Sequence, residues 1–353
     1  MTHDYKAVQW TPFKKRYDLW LLAGIAVYLT TFIAISFMLG SGDASLHPIQ
    51  VIIRATGTLA FLLLTFILCI GPLARLTDRF KPFLYNRRHL GVTTFLIALI
   101  HAALVTLWYH GFSDLNPLVS LLISNPNYDS LEGFPFESLG LAALIIMFLM
   151  AATSHDFWNA NLGPGFWKAL HMGVYIAYGL LIAHVALGAI QFEKHPLYVA
   201  LLCLGSVTVA GLHIFTGLAT LRPPHRTALE GWLKVAPVED MEDSRAKIIR
   251  PKDGEAIAVF RDGNKVSAVS NVCRHQGGPL GEGKIVDGCI TCPWHGFQYR
   301  MEDGRSPPPF TEKIATYMTK LVDGVIYVSP KPTLPGTKVD PTLIPHQSAR
   351  TGG

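Results

Sequence analysis

The sequence predicts a membrane all-α six-helix bundle followed by a small all-β domain, and three observations carry that prediction. Half of the 353 residues are hydrophobic and only 16 % are charged, where soluble domains carry about 25 % charged residues. The hydropathy is uneven: residues 19–220 hold nearly all the long apolar runs, while 229–331 read as an ordinary small soluble domain. Within that second stretch, Asp-Gly pairs separate short alternating runs, which is the signature of antiparallel hairpins. The net charge of +5 sits in Lys and Arg clusters beside apolar runs, where such residues orient a chain in a bilayer. A nucleic-acid partner is not expected.

Residues 1–18 form an N-terminal segment and 19–220 the membrane domain. Six stretches approach the ~20 apolar residues needed to cross a bilayer: 19–39, 48–70, 90–109, 138–153, 168–191 and 197–220. The first is too long for a signal-peptide core and lacks a small-residue cleavage pattern after it, so it reads as an uncleaved span. Lys14, Lys15 and Arg16 precede span one, Arg75, Arg79, Lys81, Arg87 and Arg88 separate spans two and three, and Arg222 and Arg226 follow span six. The loop 110–138 contains no Lys or Arg. The positive side faces the cytoplasm, so both termini are expected there. A Pro-broken linker, 221–228, follows; the ten residues RPPHRTALEG from 221 to 230 reach at most ~35 Å, which keeps the soluble domain, 229–331, near the membrane. The tail, 332–353, is rich in Pro, Thr and Gly and is expected to be disordered. No internal repeat is visible.

In the soluble stretch, IAVFRDGNKVSAVS reads as two strands around Asp262, Gly263 and Asn264. KIVDGCIT repeats the device with Asp287 and Gly288, and LVDGVIYVSP with Asp323 and Gly324. Between such strands lie two loops that each offer one thiol and one imidazole: Cys273 and His275, then Cys292 and His295. Structural zinc is the plainest reading of Cys and His pairs, but zinc fingers usually place Cys with Cys and His with His. One of each per loop suits a binuclear cluster in which two thiolates bind one iron and two imidazoles the other. Gly277, Gly278 and Gly296 would let backbone N–H groups approach the cluster sulfurs. Cys289 reads as a strand residue, and Cys69 and Cys203 as packing residues within apolar spans.

Cys-x-His, sixteen residues, then Cys-x-x-His, with CPWHGFQY at the second loop, resembles the Rieske [2Fe–2S] proteins of the ferredoxin and oxygenase type. Where the respiratory Rieske type has a disulfide, this sequence has Gly278 and Trp294, and Phe297 stands where that type has a serine. The resemblance therefore implies a lower-potential cluster with no need of an oxidising compartment. An oxygenase would require a further mononuclear iron site of two His and a carboxylate, and 332–353 is too short for one. No Gly-rich nucleotide fingerprint follows a predicted strand, so no flavin or nicotinamide site is expected.

Intramembrane histidine is costly and usually functional. His101 lies inside FLIALIHAALVTLW of span three, and His171 and His184 inside LHMGVYIAYGLLIAHVAL of span five. Imidazoles from facing helices can hold b-type heme across a bundle; a hydrogen-bonded core histidine is the competing reading. TGTLAFLLLTFILCIGPLARL, RRHLG with His101, and the thirteen-residue step from His171 to His184 resemble the ferric reductase-like transmembrane family, in particular the heme-binding membrane subunits of bacterial methionine sulfoxide reductase systems. Thirteen residues leave the two rings of span five ~140° apart around an ideal helix, which suits service to different hemes. One or two hemes b are expected. With two, His89 would pair with His171 and leave His101 for His184, and His213 is the rival fourth ligand. His110 and His155 are expected to be interfacial.

The function these features imply is a membrane oxidoreductase of a prokaryotic plasma membrane, passing single electrons between a cytoplasmic Rieske cluster and intramembrane heme. The favoured direction runs from a cytosolic donor toward a periplasmic acceptor protein or quinone at the outer face. Quinol feeding the heme, with electrons leaving through the cluster, is one alternative, and a non-catalytic redox sensor is another.

Overall fold

In a computed structural model, the described residues are 12–39, 47–80, 83, 86–125, 127–131, 133–154, 158, 162, 164–192, 196–220, 227–229, 231–275, 277–293, 296–308 and 310–345. Among the described residues the chain divides into two compact units, one helical up to Gly217, within the last turn of the final helix, the other from Leu218 onward and carrying the strands.

The helical unit contains α1 (Pro12–Leu39), α2 (Pro48–Leu76), α3 (Arg87–Val105), α4 (Pro117–Ile123), α5 (Phe136–Ala152), α6 (Pro164–Leu187) and α7 (Pro196–Thr220). Local chemistry sets several starts. His47 caps α2 by accepting from the Ile49 N–H, Gln50 returns a bond to the His47 N–H, and Pro48 takes the first helical position, where a missing N–H costs nothing. At α4, Asn116 accepts from the Leu118 N–H and Pro117 takes the first helical position. A π-helical turn, Thr106–His110, continues α3.

Among the described residues, five helices are long and apolar enough to cross a membrane: Lys15–Met38, Pro48–Leu76, Arg87–His110, Phe166–Gln191 and Pro196–Leu218. The expected fourth span is α5, an apolar helix of only 17 residues, about 25 Å long at 1.5 Å per residue against a hydrocarbon core of ~30 Å. Pro135 precedes it and the turn at Thr153 ends it. Side chains of α2, α5, α6 and α7 share one core, including Leu64, Met147, Ala177 and Val209, with Phe95 of α3 against it.

The second unit is all antiparallel. Its strands are β1 (Thr227–Leu229), β2 (Trp232–Pro237), β3 (Ala246–Ile249), β4 (Ile257–Asp262), β5 (Lys265–Ser270), β6 (Lys284–Val286), β7 (Cys289–Thr291), β8 (Gln298–Arg300), β9 (Thr316–Tyr317), β10 (Thr319–Val322), β11 (Val325–Val328) and β12 (Thr342–Leu343). They form sheets ordered β1-β2-β11-β10, β12-β5-β4-β3 with β9 also on β5, and β6-β7-β8. All three predicted hairpins are present. Asp287 and Gly288, like Asp323 and Gly324, both take positive φ, as a tight two-residue hairpin turn requires.

Strand β4 alternates between two cores, as a period of two demands. Ile257 and Val259 face Leu233, Ile326 and Val328, while Ala258 and Phe260 face Cys273, Cys292 and Tyr299. The tail departs from its expected disorder. Thr316 meets Thr333 at 2.6 Å, Thr319 meets Thr342 at 2.6 Å, β12 pairs with β5, and Ile344 packs on the first core. Its Pro and Thr suppress regular structure, yet its hydroxyls and one aliphatic side chain find partners on the sheet. The domain therefore extends through residue 345, and 346–353 lie outside the described residues. So do 221–226 of the linker, whose last residues belong to β1.

Candidate metal centres

The two Cys/His loops are built alike. In the first, the Cys273 N–H donates to the Gly278 carbonyl (2.9 Å) and the Gly277 N–H to the Cys273 carbonyl (2.7 Å). In the second, the Cys292 N–H donates to Phe297 (2.8 Å) and the Gly296 N–H to Cys292 (3.0 Å). Gly277 and Gly296 sit at φ +72° and +70°, a left-handed conformation that other residues resist. Each loop thereby curls around its cysteine. Both cysteines are buried in one core, and the ring of Phe297 stacks on His275 at 4.9 Å. His295 and Trp294 lie outside the described residues.

Tyr299 completes this region, although the sequence reading gave it no role. Fully buried on β8, its hydroxyl accepts the Arg274 N–H at 3.0 Å and lies 3.5 Å from the Cys273 sulfur. Burial, with the Cys273 sulfur beside it, pushes the phenol well above its ordinary value, so the hydroxyl keeps a proton to direct at that sulfur. Its only sequence signal was its place as the last residue of CPWHGFQY. The buried thiol pair, the glycine-closed loops and the Cys/His donor set fit a binuclear iron–sulfur cluster. Burial pushes the Cys289 thiol up, in keeping with a strand residue. Cys69 is buried as expected, whereas Cys203 is exposed on α7.

In the helical unit the histidines differ in what holds them. His101 donates Nδ1–H to the Ile53 carbonyl at 2.9 Å, and His184 donates Nδ1–H to the Phe136 carbonyl at 2.8 Å. A carbonyl can only accept, so the proton is on Nδ1 and Nε2 carries a lone pair. His171 donates Nδ1–H to Trp167 of its own helix (2.9 Å), stacks on that indole at 3.8 Å, and keeps a buried Nε2 that makes no hydrogen bond. These three imidazoles fit a role as heme ligands: each is oriented through Nδ1, which leaves Nε2 as the nitrogen that would bind iron.

The remaining histidines are engaged otherwise. His213 has both nitrogens occupied, by the Val209 carbonyl and by Tyr175 Oη, each at 2.9 Å. His89 bonds through Nδ1 to the Asp18 carboxylate of α1 at 2.8 Å. His110, expected to be interfacial, is buried and bonds Ser120. His155 lies outside the described residues.

Fold and sites together define a multi-pass membrane oxidoreductase of the electron-transfer class. The family model "Ferric reductase like transmembrane component" matches residues 56–182, and "Rieske [2Fe-2S] domain" matches 231–318. The heme-binding subunit MsrQ of protein-methionine-sulfoxide reductase from Enterobacter sp. (strain 638) is 32 % identical over 185 residues, 52 % of this chain and 85 % of that protein. The ferredoxin subunit of anthranilate 1,2-dioxygenase from Burkholderia cepacia is 36 % identical over 74 residues, 21 % of this chain and 68 % of that protein. A solved ferredoxin of carbazole 1,9a-dioxygenase from Nocardioides aromaticivorans IC177 is 26 % identical and covers 29 % of this chain and 100 % of its own, with a TM-score of 0.27. The chain belongs to the ferric reductase-like transmembrane family, with a Rieske domain fused behind the helical part.

Proposed function

We propose that this chain is a six-span electron carrier of a prokaryotic plasma membrane with both termini cytoplasmic, in which Cys273, His275, Cys292 and His295 hold a [2Fe–2S] cluster and His101 and His184 hold a b-type heme. Bound there, these groups supply one-electron chemistry, moving electrons from a cytosolic donor toward a periplasmic protein or quinone at the outer face. The observation that carries the reading is the pair of oriented imidazoles. Each fixes Nδ1 on a carbonyl of a neighbouring helix, which leaves Nε2 as the nitrogen able to bind iron.

The rest of the chain serves those positions. Tyr299 holds a donor against the Cys273 sulfur, and the apolar core around both cysteines excludes water. His171, with its buried and unbonded Nε2, is the ligand proposed for a second heme. His213 is fully engaged, so His89, held by Asp18, is the fourth ligand. The names of the relatives, a heme-binding subunit and a ferredoxin subunit, support both cofactors, and the loop charges support the orientation.

The test is rapid mixing of purified protein with a water-soluble reductant that does not reduce the heme directly. Cys292→Ser is expected to lose acid-labile sulfide, keep the b-heme absorption band, and reduce its heme at least tenfold more slowly than the parent. Equal rates would show that cluster and heme do not work in series. Zinc in place of iron in the parent protein would remove the cluster assignment itself.

A further inference from the structure

His101 and His184 belong to a repeated unit that the sequence conceals. His101 bonds the carbonyl of Ile53 and His184 that of Phe136, both across a separation of 48 residues. One helical turn after each acceptor comes a glycine, Gly57 or Gly140. Positions 53, 57 and 101 recur as 136, 140 and 184, an offset of 83 in each case. Each unit is a pair of packed helices, α2 with α3 and α5 with α6. The bond joins the start of the first helix to the end of the second, so each pair runs antiparallel.

The glycines are in contact with the rings. A Cβ built on Gly57 would stand 2.8 Å from His101 Cε1 and 3.0 Å from its Nδ1. One on Gly140 would stand 2.8 Å from both Cε1 and Nδ1 of His184. Neither position is strained, because both lie inside regular helix, where glycine is disfavoured relative to alanine. Helix formation therefore does not account for glycine here, and close approach of the imidazole does.

We infer that Gly57 and Gly140 are positioning residues: each provides the bare backbone floor on which a ligand imidazole lies, while the carbonyl one turn earlier fixes Nδ1. Two restraints on one ring set both the direction of Nε2 and the plane of the imidazole. The ring cannot retreat from a new methyl group and also keep its bond to the carbonyl. The inference rests on the heme reading above and deepens it, since the orientation of an axial imidazole tunes the iron it binds.

The experiment compares Gly57→Ala and Gly140→Ala with Gly91→Ala and Gly179→Ala, control sites on α3 and α6 where an added Cβ meets nothing within 4 Å. Purified proteins are examined by low-temperature EPR and redox titration of the heme. Gly57→Ala and Gly140→Ala are expected to shift the low-spin signal or convert part of it to high spin, with a changed midpoint potential, while the controls overlay the parent. A second measurement reads the clash without heme chemistry. Gly57→Ala is expected to lower the thermal midpoint when residue 101 is His and to leave it unchanged or raise it in a His101→Ala background. Parental spectra in both glycine variants, or the same thermal effect in either background, overturn the inference and leave the ligand assignment standing. Parental heme spectra in His101→Ala and His184→Ala overturn the ligand assignment, and the positioning role falls with it.

Discussion

Tyr299 shows how much one buried hydroxyl can decide. It accepts from the Arg274 N–H, which leaves its own proton for the Cys273 sulfur. Tyr299→Phe keeps the ring in the core but removes that donor. A net hydrogen bond is worth about 1 kcal/mol, and ~1.4 kcal/mol corresponds to 59 mV for one electron. The cluster potential is therefore expected to fall by about 40 mV, read by EPR-monitored titration. An unchanged potential would mean that the hydroxyl serves only the Arg274 N–H. The histidines make a second residue-scale prediction. His101→Ala and His184→Ala are expected to lose the dithionite-reducible b-heme band that they hold, and His89→Ala to lose part of it. His110→Ala and His213→Ala, whose rings are bonded elsewhere, should keep it. Retention of the full band in His184→Ala would remove His184 as a ligand.

At the scale of elements, the hairpins and most helices follow from local signals. Asp287-Gly288 and Asp323-Gly324 make tight turns wherever they separate β-forming runs, and HPIQ and NPLV start helices through cap and proline together. The segment 331–345 is different, because its partners are Thr316, Thr319 and β5, far away in sequence. Composition alone made it look like a loose tail. Truncation of the full chain after Pro330 is expected to lower the thermal midpoint of the cluster domain relative to truncation after Pro345. Each kcal/mol lost is worth roughly 4–8 °C for a domain of this size. Equal midpoints would mean that β12 and the threonine pairs contribute nothing to stability.

For the whole molecule, the charge asymmetry of the loops makes a topological prediction. Alkaline phosphatase fused after Asn116, in the loop without Lys or Arg, is expected to be active in the periplasm of an expressing bacterium, and the same reporter fused after Pro345 inactive. The reverse pattern would place the Rieske domain outside and end the case for a cytosolic donor. Helix α5 bears on the same question, because its 17 residues are short for a full crossing. A fusion following Thr153 that is inactive while the one after Asn116 is active would support six crossings, because, apart from the short α4, only α5 lies between them.

By itself the sequence determined the two-part architecture, the apolar helices, the hairpins and the cluster loops. These depend on hydropathy over about 20 residues, on turn pairs, or on a motif with fixed spacing, all of which are local along the chain. Only the tertiary structure decided which nitrogen of His101, His171 and His184 is held by a carbonyl, that His213 is fully engaged, that Tyr299 reaches the Cys273 sulfur, and that Gly57 and Gly140 lie against the rings of His101 and His184. Those outcomes are set by contacts between residues tens of positions apart. Hydropathy treats all membrane histidines alike, whereas a carbonyl or a missing Cβ on the neighbouring helix distinguishes them.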